Sequence, residues 1–214
     1  MLCYASRTGT RRNLDALRSR NWRLLISRAG VWRTEGFAQY ALDNGAWADF
    51  QAGRAFDEGA FERLVEQFGA CADWIVLPDI VAGGLDSLRL STRWLNRCLS
   101  LCPLVLLAVQ DGMSEADVAS IVGPNVGVFL GGSTEWKLAN MQRWGEFCAV
   151  RRLHYHVARV NTERRFRLAA ASGATSIDGS SASRYAVTLP LVDLWSRQPD
   201  LLAPDRPFAE VANE

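Results

Sequence analysis

The sequence predicts a compact (β/α)8 barrel of the TIM type, forming a single domain, and three observations point to it. Eight short segments read as strands, several of them continuous apolar runs that suit burial on both faces. Helical patterns lie between most of them. Three strand candidates end in an acid and then turn: Tyr40-Ala41-Leu42-Asp43-Asn44-Gly45, Ile75-Val76-Leu77-Pro78-Asp79 and Thr175-Ser176-Ile177-Asp178-Gly179. A parallel α/β protein presents carboxylates to one common pocket in this way.

The strand candidates span roughly 2–6, 22–28, 39–44, 73–79, 103–110, 126–131, 152–159 and 174–178. Between them, Asp57 to Ala70 is an amphipathic helix, with Phe61, Leu64, Val65 and Phe68 at i, i+3, i+4 and i+7. Leu85 to Leu101 continues the alternation, and Ser114 caps a short helix that follows it. Thr134 to Val150 forms a long helix carrying Trp136, Trp144 and Phe147. Asn161 to Ser172 follows with Asn161 as N-cap, and Ser183 to Trp195 closes the fold with Pro190 bending or ending it. Residues 29–38 are too short for a full helix between the second and third strands. The barrel domain covers 1–198, and the proline-bearing segment 199–214 reads as a tail. At 214 residues the barrel lies near the small limit of the fold.

No apolar run reaches the roughly 18 residues needed to span a bilayer, and no signal-peptide pattern opens the chain, so a cytoplasmic protein without membrane association is expected. Five cysteines at irregular spacing, with no Cys-x-x-Cys pair, read as reduced and partly buried thiols; Cys98 and Cys102 have a helical spacing that is more often packed than bonded. Net charge is only +1, yet eight arginines fall between Arg7 and Arg33, and a second cluster holds Arg151, Arg152, Arg159, Arg164, Arg165 and Arg167. Arginine patches clamp phosphates, or else cover solvated helix faces.

In such a barrel the strand ends carry the chemistry. Asp43, Asp79, Gln110, Gly131, Gly132 and Asp178 all fall there. Each has a bland alternative, as an N-cap or a tight turn. Together they form an inventory of acids, one amide and backbone donors that suits a guanine-like base and a covalent sugar intermediate better than a metal or a phosphate. His154 and His156 lie two apart on one strand and so face one side. With no third ligand evident by spacing, a polar layer inside the barrel or a substrate contact is expected rather than a metal site.

The ordered motifs Asp43-Asn44-Gly45-Ala46, Pro78-Asp79, Val109-Gln110-Asp111-Gly112, Leu130-Gly131-Gly132 and Ile177-Asp178 resemble those of the tRNA-guanine transglycosylase superfamily. The form of the first motif is most similar to the DpdA-type branch, which places 7-deazaguanine bases into DNA. The resemblance covers roughly residues 39–185. It implies that Asp178 is the nucleophile, forming a covalent glycosyl-enzyme, and that Asp43 shuttles the proton between leaving and incoming bases. Asp79 would accept from the ring N–H and exocyclic amine of the base, with Gln110 and the Gly132 amide donating to its carbonyl. Gly131, Asn44 and Ser133 complete the implied substrate contacts. Asn44 stands where the tRNA enzymes have Ser, and Ser133 where they have Leu. Their Cys-x-Cys-x-x-Cys…His zinc site has no counterpart in this sequence, which favours DNA over tRNA.

Around the pocket, Trp47 and Tyr185 are candidates to hold a flipped base, or else core residues. Arg159, Arg184 and Lys137 are candidates for phosphate contact, with Lys137 otherwise a solvated helix residue. No cofactor is required. The expected partners are DNA and a base such as 7-cyano-7-deazaguanine, with room for a homodimer or a partner protein to supply further grip on DNA. Three alternatives remain open: a nucleoside or glycoside hydrolase using the same acids, a tRNA-directed transglycosylase, and a non-catalytic nucleic-acid-binding barrel.

Overall fold

The computed structural model describes residues 1–6, 10–184 and 188–197. They form a closed, all-parallel barrel in which β1 (Leu2–Ser6), β2 (Arg23–Ser27), β3 (Tyr40–Asp43), β4 (Ile75–Val76), β5 (Val105–Val109), β6 (Val126–Leu130), β7 (Tyr155–Val157) and β8 (Ser176–Gly179) pair in sequence order. The ring closes where Tyr4 on β1 sits in register with Asp178 on β8. The predicted fold class is therefore correct. The segment assigned as tail, 199–214, lies outside the described residues.

Two apolar layers follow from the strand pattern. Residues facing outward, such as Leu24, Leu42, Leu107 and Val128, pack under the helices in a continuous core. Residues facing inward fill the barrel: Tyr4, Leu25, Ala41, Val76, Leu106 and Ala108, with Trp74 as the largest plug. A strand buried on both faces needs an apolar residue at nearly every position, which is why these segments read as runs.

The connecting helices are α1 (Arg11–Ser19), α2 (Ala46–Gln51), α3 (Glu58–Phe68), α4 (Leu85–Leu99), α5 (Glu115–Val118), α6 (Thr134–Arg151), α7 (Glu163–Ala171), α8 (Ser181–Arg184) and α9 (Leu189–Arg197). The β2–β3 connection, described throughout, carries turns and no helix, as its length predicts. Ser114 caps α5 in a reciprocal box with Asp117. The N-cap of α7 is Thr162, whose side chain accepts from the Arg165 amide, and not Asn161 as expected; Asn161 instead accepts from the Ser181 amide and hydroxyl. The predicted last helix is two helices, and Pro190 lies in the first turn of α9, where its missing N–H costs nothing. All five cysteines are free, with Cys98 and Cys102 both buried. Among the described residues no helix is long and apolar enough to cross a membrane.

Candidate functional site

A cavity of about 460 Å3 opens at the C-terminal mouth of the barrel. Asp43, Asn44, Asp79, Gln110, Gly131, Gly132, Arg159 and Asp178 line it, together with Trp47, Asn161 and Phe129. The strand ends thus bring three carboxylates and one guanidinium into one space. Ser133 and Lys137 are not part of its lining.

Asp43 ends β3, beside Ser27 at the end of β2. Burial pushes its pKa up to about 6; the Ser27 hydroxyl and the Gly45 amide oppose the rise, and the charges of Asp178 and Asp79 add to it. Asp79 is likewise raised to about 6 by burial, against an Asn44 hydrogen bond and the charge of Arg159. Two acids that titrate near neutrality in one cavity can exchange protons with a ligand.

Asp178 is fixed differently. Its Oδ1 accepts from His156 Nε2 at 3.0 Å and from the Arg159 backbone N–H at 3.1 Å. Arg159 can aim that amide because its backbone is left-handed, with φ +57°, an uncommon conformation for a residue other than glycine. Its side chain reaches the Gly132 carbonyl and places the guanidinium 4.2 Å over the Trp47 ring. Trp47 follows β3, four strands away in the ring, so Arg159 spans the mouth. Trp47 in turn stacks on Phe50 at 5.7 Å, and both are exposed. Arg159 and Trp47 thus both line the cavity, and Trp47 is exposed and not a core residue.

Several expected substrate contacts have other partners. Gln110, expected to donate to a base carbonyl, donates through Nε2 to Ile80 O at 2.8 Å and accepts at Oε1 from the Ala82 amide at 2.8 Å. It braces the loop after Asp79. Asn44 donates to Leu77 O and Asp79 Oδ1, both at 2.7 Å, and accepts from the Ala46 amide. It is a bracket that holds Asp79. Ser133 gives its amide and hydroxyl to Asp111, each at 2.6 Å, while its oxygen caps α6. The N-terminus of the long helix is therefore occupied by a carboxylate from the protein itself. The Gly131 amide donates to Val109 O. Gly132, at φ +74°, lies so near Asp111 that an added Cβ would come within 2.6 Å of its carboxylate.

Lys137 corrects a further expectation. It is neither a phosphate contact nor a solvated residue: it is 1% exposed, and Nζ donates to Ala158 O. Burial, reinforced by the charge of Arg159, pulls its pKa down to about 7. The N-terminal arginine cluster is also dispersed. Arg18 pairs with Asp15, Arg23 with Asp73 and Arg28 with Asp49. Arg11, Arg12, Arg33 and Arg164 remain exposed. The side chain of Arg184 and all of Tyr185 lie outside the described residues. No cluster of three or more His, Cys, Asp or Glu placed to hold a metal ion occurs among the described residues.

The residues that sequence reasoning missed are those that position others. Arg28, at the end of β2, is buried and donates to Asn44 O at 3.0 Å and to the Asp49 carboxylate, clamping the loop that carries Asp43. Asp49 also pairs with Arg54. Asp49→Ala, which strands Arg28, should destabilise the fold by about 3–5 kcal/mol, read by urea denaturation. Nothing local in the sequence marks this pair, whose members are 21 residues apart.

The raised acids set a stability signature. A carboxyl that binds its proton more tightly in the folded state stabilises fully below its unfolded pKa, and that contribution is lost as pH rises through the folded value. For Asp43 and Asp79 the window runs from 3.8 to about 6. Asp43→Asn and Asp79→Asn should therefore each raise stability at pH 7.5, by up to about 2–3 kcal/mol, and change it little at pH 4. Thermal melts at the two pH values check this.

No protein-family model matches this chain, and no curated protein shows significant similarity to it.

Proposed function

We propose that this barrel is a glycosyl-transfer enzyme that exchanges guanine in a nucleic acid, DNA before RNA, for a 7-deazaguanine base. The observation that carries the reading is the unequal set of acids in one cavity. Asp178 is held at one oxygen by two donors, while Asp43 and Asp79 retain protons up to about pH 6. A carboxylate in that position favours the positive charge that develops at an anomeric carbon, and a neighbour titrating near neutrality serves base departure.

In this mechanism Asp178 Oδ2 forms a bond to C1′ as the C1′–N9 bond breaks. The electron pair leaves with guanine, and Asp43 supplies the proton. The incoming base then gives its N9 proton to Asp43. Its nitrogen attacks C1′, and the electrons of the ester bond return to Asp178. Asp79, held by Asn44, faces the two donors of the guanine edge. With Gln110 engaged by the loop, this reading assigns the base carbonyl to the Gly132 amide and the Arg159 guanidinium, both of which line the cavity. The exposed Trp47–Phe50 surface offers a stacking face beside a base taken out of the duplex.

The engagement of Gln110 favours one second reading. A nucleoside or glycoside hydrolase uses the same carboxylates and needs a smaller set of base contacts. Incubation with guanine-containing duplex DNA and 7-cyano-7-deazaguanine, followed by nucleoside analysis, separates the two. A deazaguanosine in the digest supports exchange. Free guanine without incorporation supports hydrolysis and overturns exchange.

A further inference from the structure

A file of polar groups runs up the inside of the barrel to Asp178. His154 Nε2 lies 2.8 Å from Ser176 Oγ, the same oxygen lies 2.8 Å from His156 Nδ1, and His156 Nε2 lies 3.0 Å from Asp178 Oδ1. His156 is fully buried. Its ring stacks on Phe129 at 4.9 Å and 9°, with Trp74 at 4.8 Å, so it cannot turn without repacking the core. No step of the proposed reaction uses this imidazole directly.

The proton positions follow from the contacts. A ring nitrogen facing a carboxylate oxygen at hydrogen-bond distance must carry hydrogen. Burial lowers the proton affinity of both imidazoles, His154 to about 4, so both are neutral near pH 7. His156 is then the Nε2–H tautomer, and its bare Nδ1 accepts from the Ser176 hydroxyl. Ser176 Oγ in turn accepts from His154 Nε2–H. Every donor in the file points toward Asp178.

Resting on the glycosyl-transfer reading, we infer that His156 is a positioning residue for the nucleophile: its Nε2–H holds Asp178 Oδ1 so that Oδ2 faces the sugar, and Ser176 and His154 lock the tautomer that does so. The Arg159 amide supplies the second donor to the same oxygen. Once Oδ2 is bonded to C1′, Oδ1 is the ester carbonyl, and the same two donors polarise it for the return of electrons when the second base attacks. Such a pre-aimed donor acts through Asp178 and leaves recognition of the base untouched, so kcat should move and KM for the base should not.

Four variants test this, read by ring NMR, exchange kinetics and melting temperature. Long-range proton–nitrogen NMR of the ring-labelled protein, without substrate, reads the tautomer. The expected result is His156 protonated at Nε2 alone at neutral pH, with that proton lost from slow exchange in Asp178→Ala. Protonation at Nδ1 instead would overturn the inference. In base exchange, His156→Phe should lower kcat about 100-fold or more, with KM for the base within about threefold. His156→Gln, which restores a donor near Nε2, should recover most of that loss. Equal impairment of the two variants, at melting temperatures near that of the wild type, would make His156 merely structural and overturn the inference. Should His156→Phe fail to fold, Ser176→Ala takes its place: a mixed His156 tautomer and a lowered kcat are expected, and an unchanged spectrum and rate would overturn it. A wild-type protein that exchanges no base removes the transfer reading, whereas the NMR experiment still decides the role of His156.

Discussion

Asp178→Asn is expected to lower base exchange by about 10⁴-fold or more and to leave the barrel folded. The asparagine oxygen can still accept from His156 Nε2–H and from the Arg159 amide, so the hydrogen bonds that position the side chain survive. What is lost is the second carboxylate oxygen, which must form the bond to C1′. An amide nitrogen there is not a nucleophile. Exchange rates together with melting curves check the claim, because a variant that is inactive and also unstable would say nothing about chemistry. Exchange within tenfold of the wild type would remove Asp178 from the reaction.

Asp43→Asn should reduce exchange by about 10²–10⁴-fold, and its pH dependence is more informative than its size. Base departure needs Asp43 protonated, so single-turnover loss of guanine should fall as pH rises above about 6. Capture of the incoming base needs the carboxylate, so that half-reaction should fall as pH drops below about 6. The two limbs have opposite signs and cross near one value. Asp79 titrates in the same range, and the two acids are near enough for their titrations to couple. The variants separate them: Asp43→Asn should flatten both limbs, whereas Asp79→Asn should weaken base binding and keep the limbs. Limbs that persist in Asp43→Asn would move the proton shuttle to another group.

The architecture was legible because strands buried on both faces leave a plain apolar record. β1 occupies the predicted span, Leu2–Ser6, and α3 and α6 lie within one or two residues of theirs. β4 is shorter than expected because only Ile75 and Val76 pair regularly before Pro78. The missed helices are short, at nine and six residues. In α1 the buried apolar residues are Leu14 and Leu17, set among arginines that read as a charge cluster. The six residues of α2 are too few to display a period.

The carboxylates of the site were legible for a related reason. A strand end fixes where an acid stands, so Asp43, Asp79 and Asp178 converge once the barrel closes. Hydrogen-bond allegiance was not legible. Gln110 and Ser133 stand near the expected places, but Gln110 is engaged by a loop some 30 residues away and Ser133 by Asp111, 22 residues away. Lys137 occupies the first turn of a long helix, a position that reads as solvated until α6 is packed against the strand end at Ala158. Of the His154–Ser176–His156 file the sequence predicts only two histidines in a polar layer or at a substrate contact, because the place of Ser176 depends on which strand lies beside β7.

The most direct test of the central claim is mass mapping of a trapped covalent intermediate. The protein is incubated with guanine-containing duplex DNA, quenched by denaturation before a second base is added, digested, and searched for a nucleotide-linked peptide. A deoxyribose adduct is expected on the peptide containing Asp178, absent from Asp178→Asn and discharged by 7-cyano-7-deazaguanine. An adduct on another residue, or guanine release with no adduct at any time point, would contradict it.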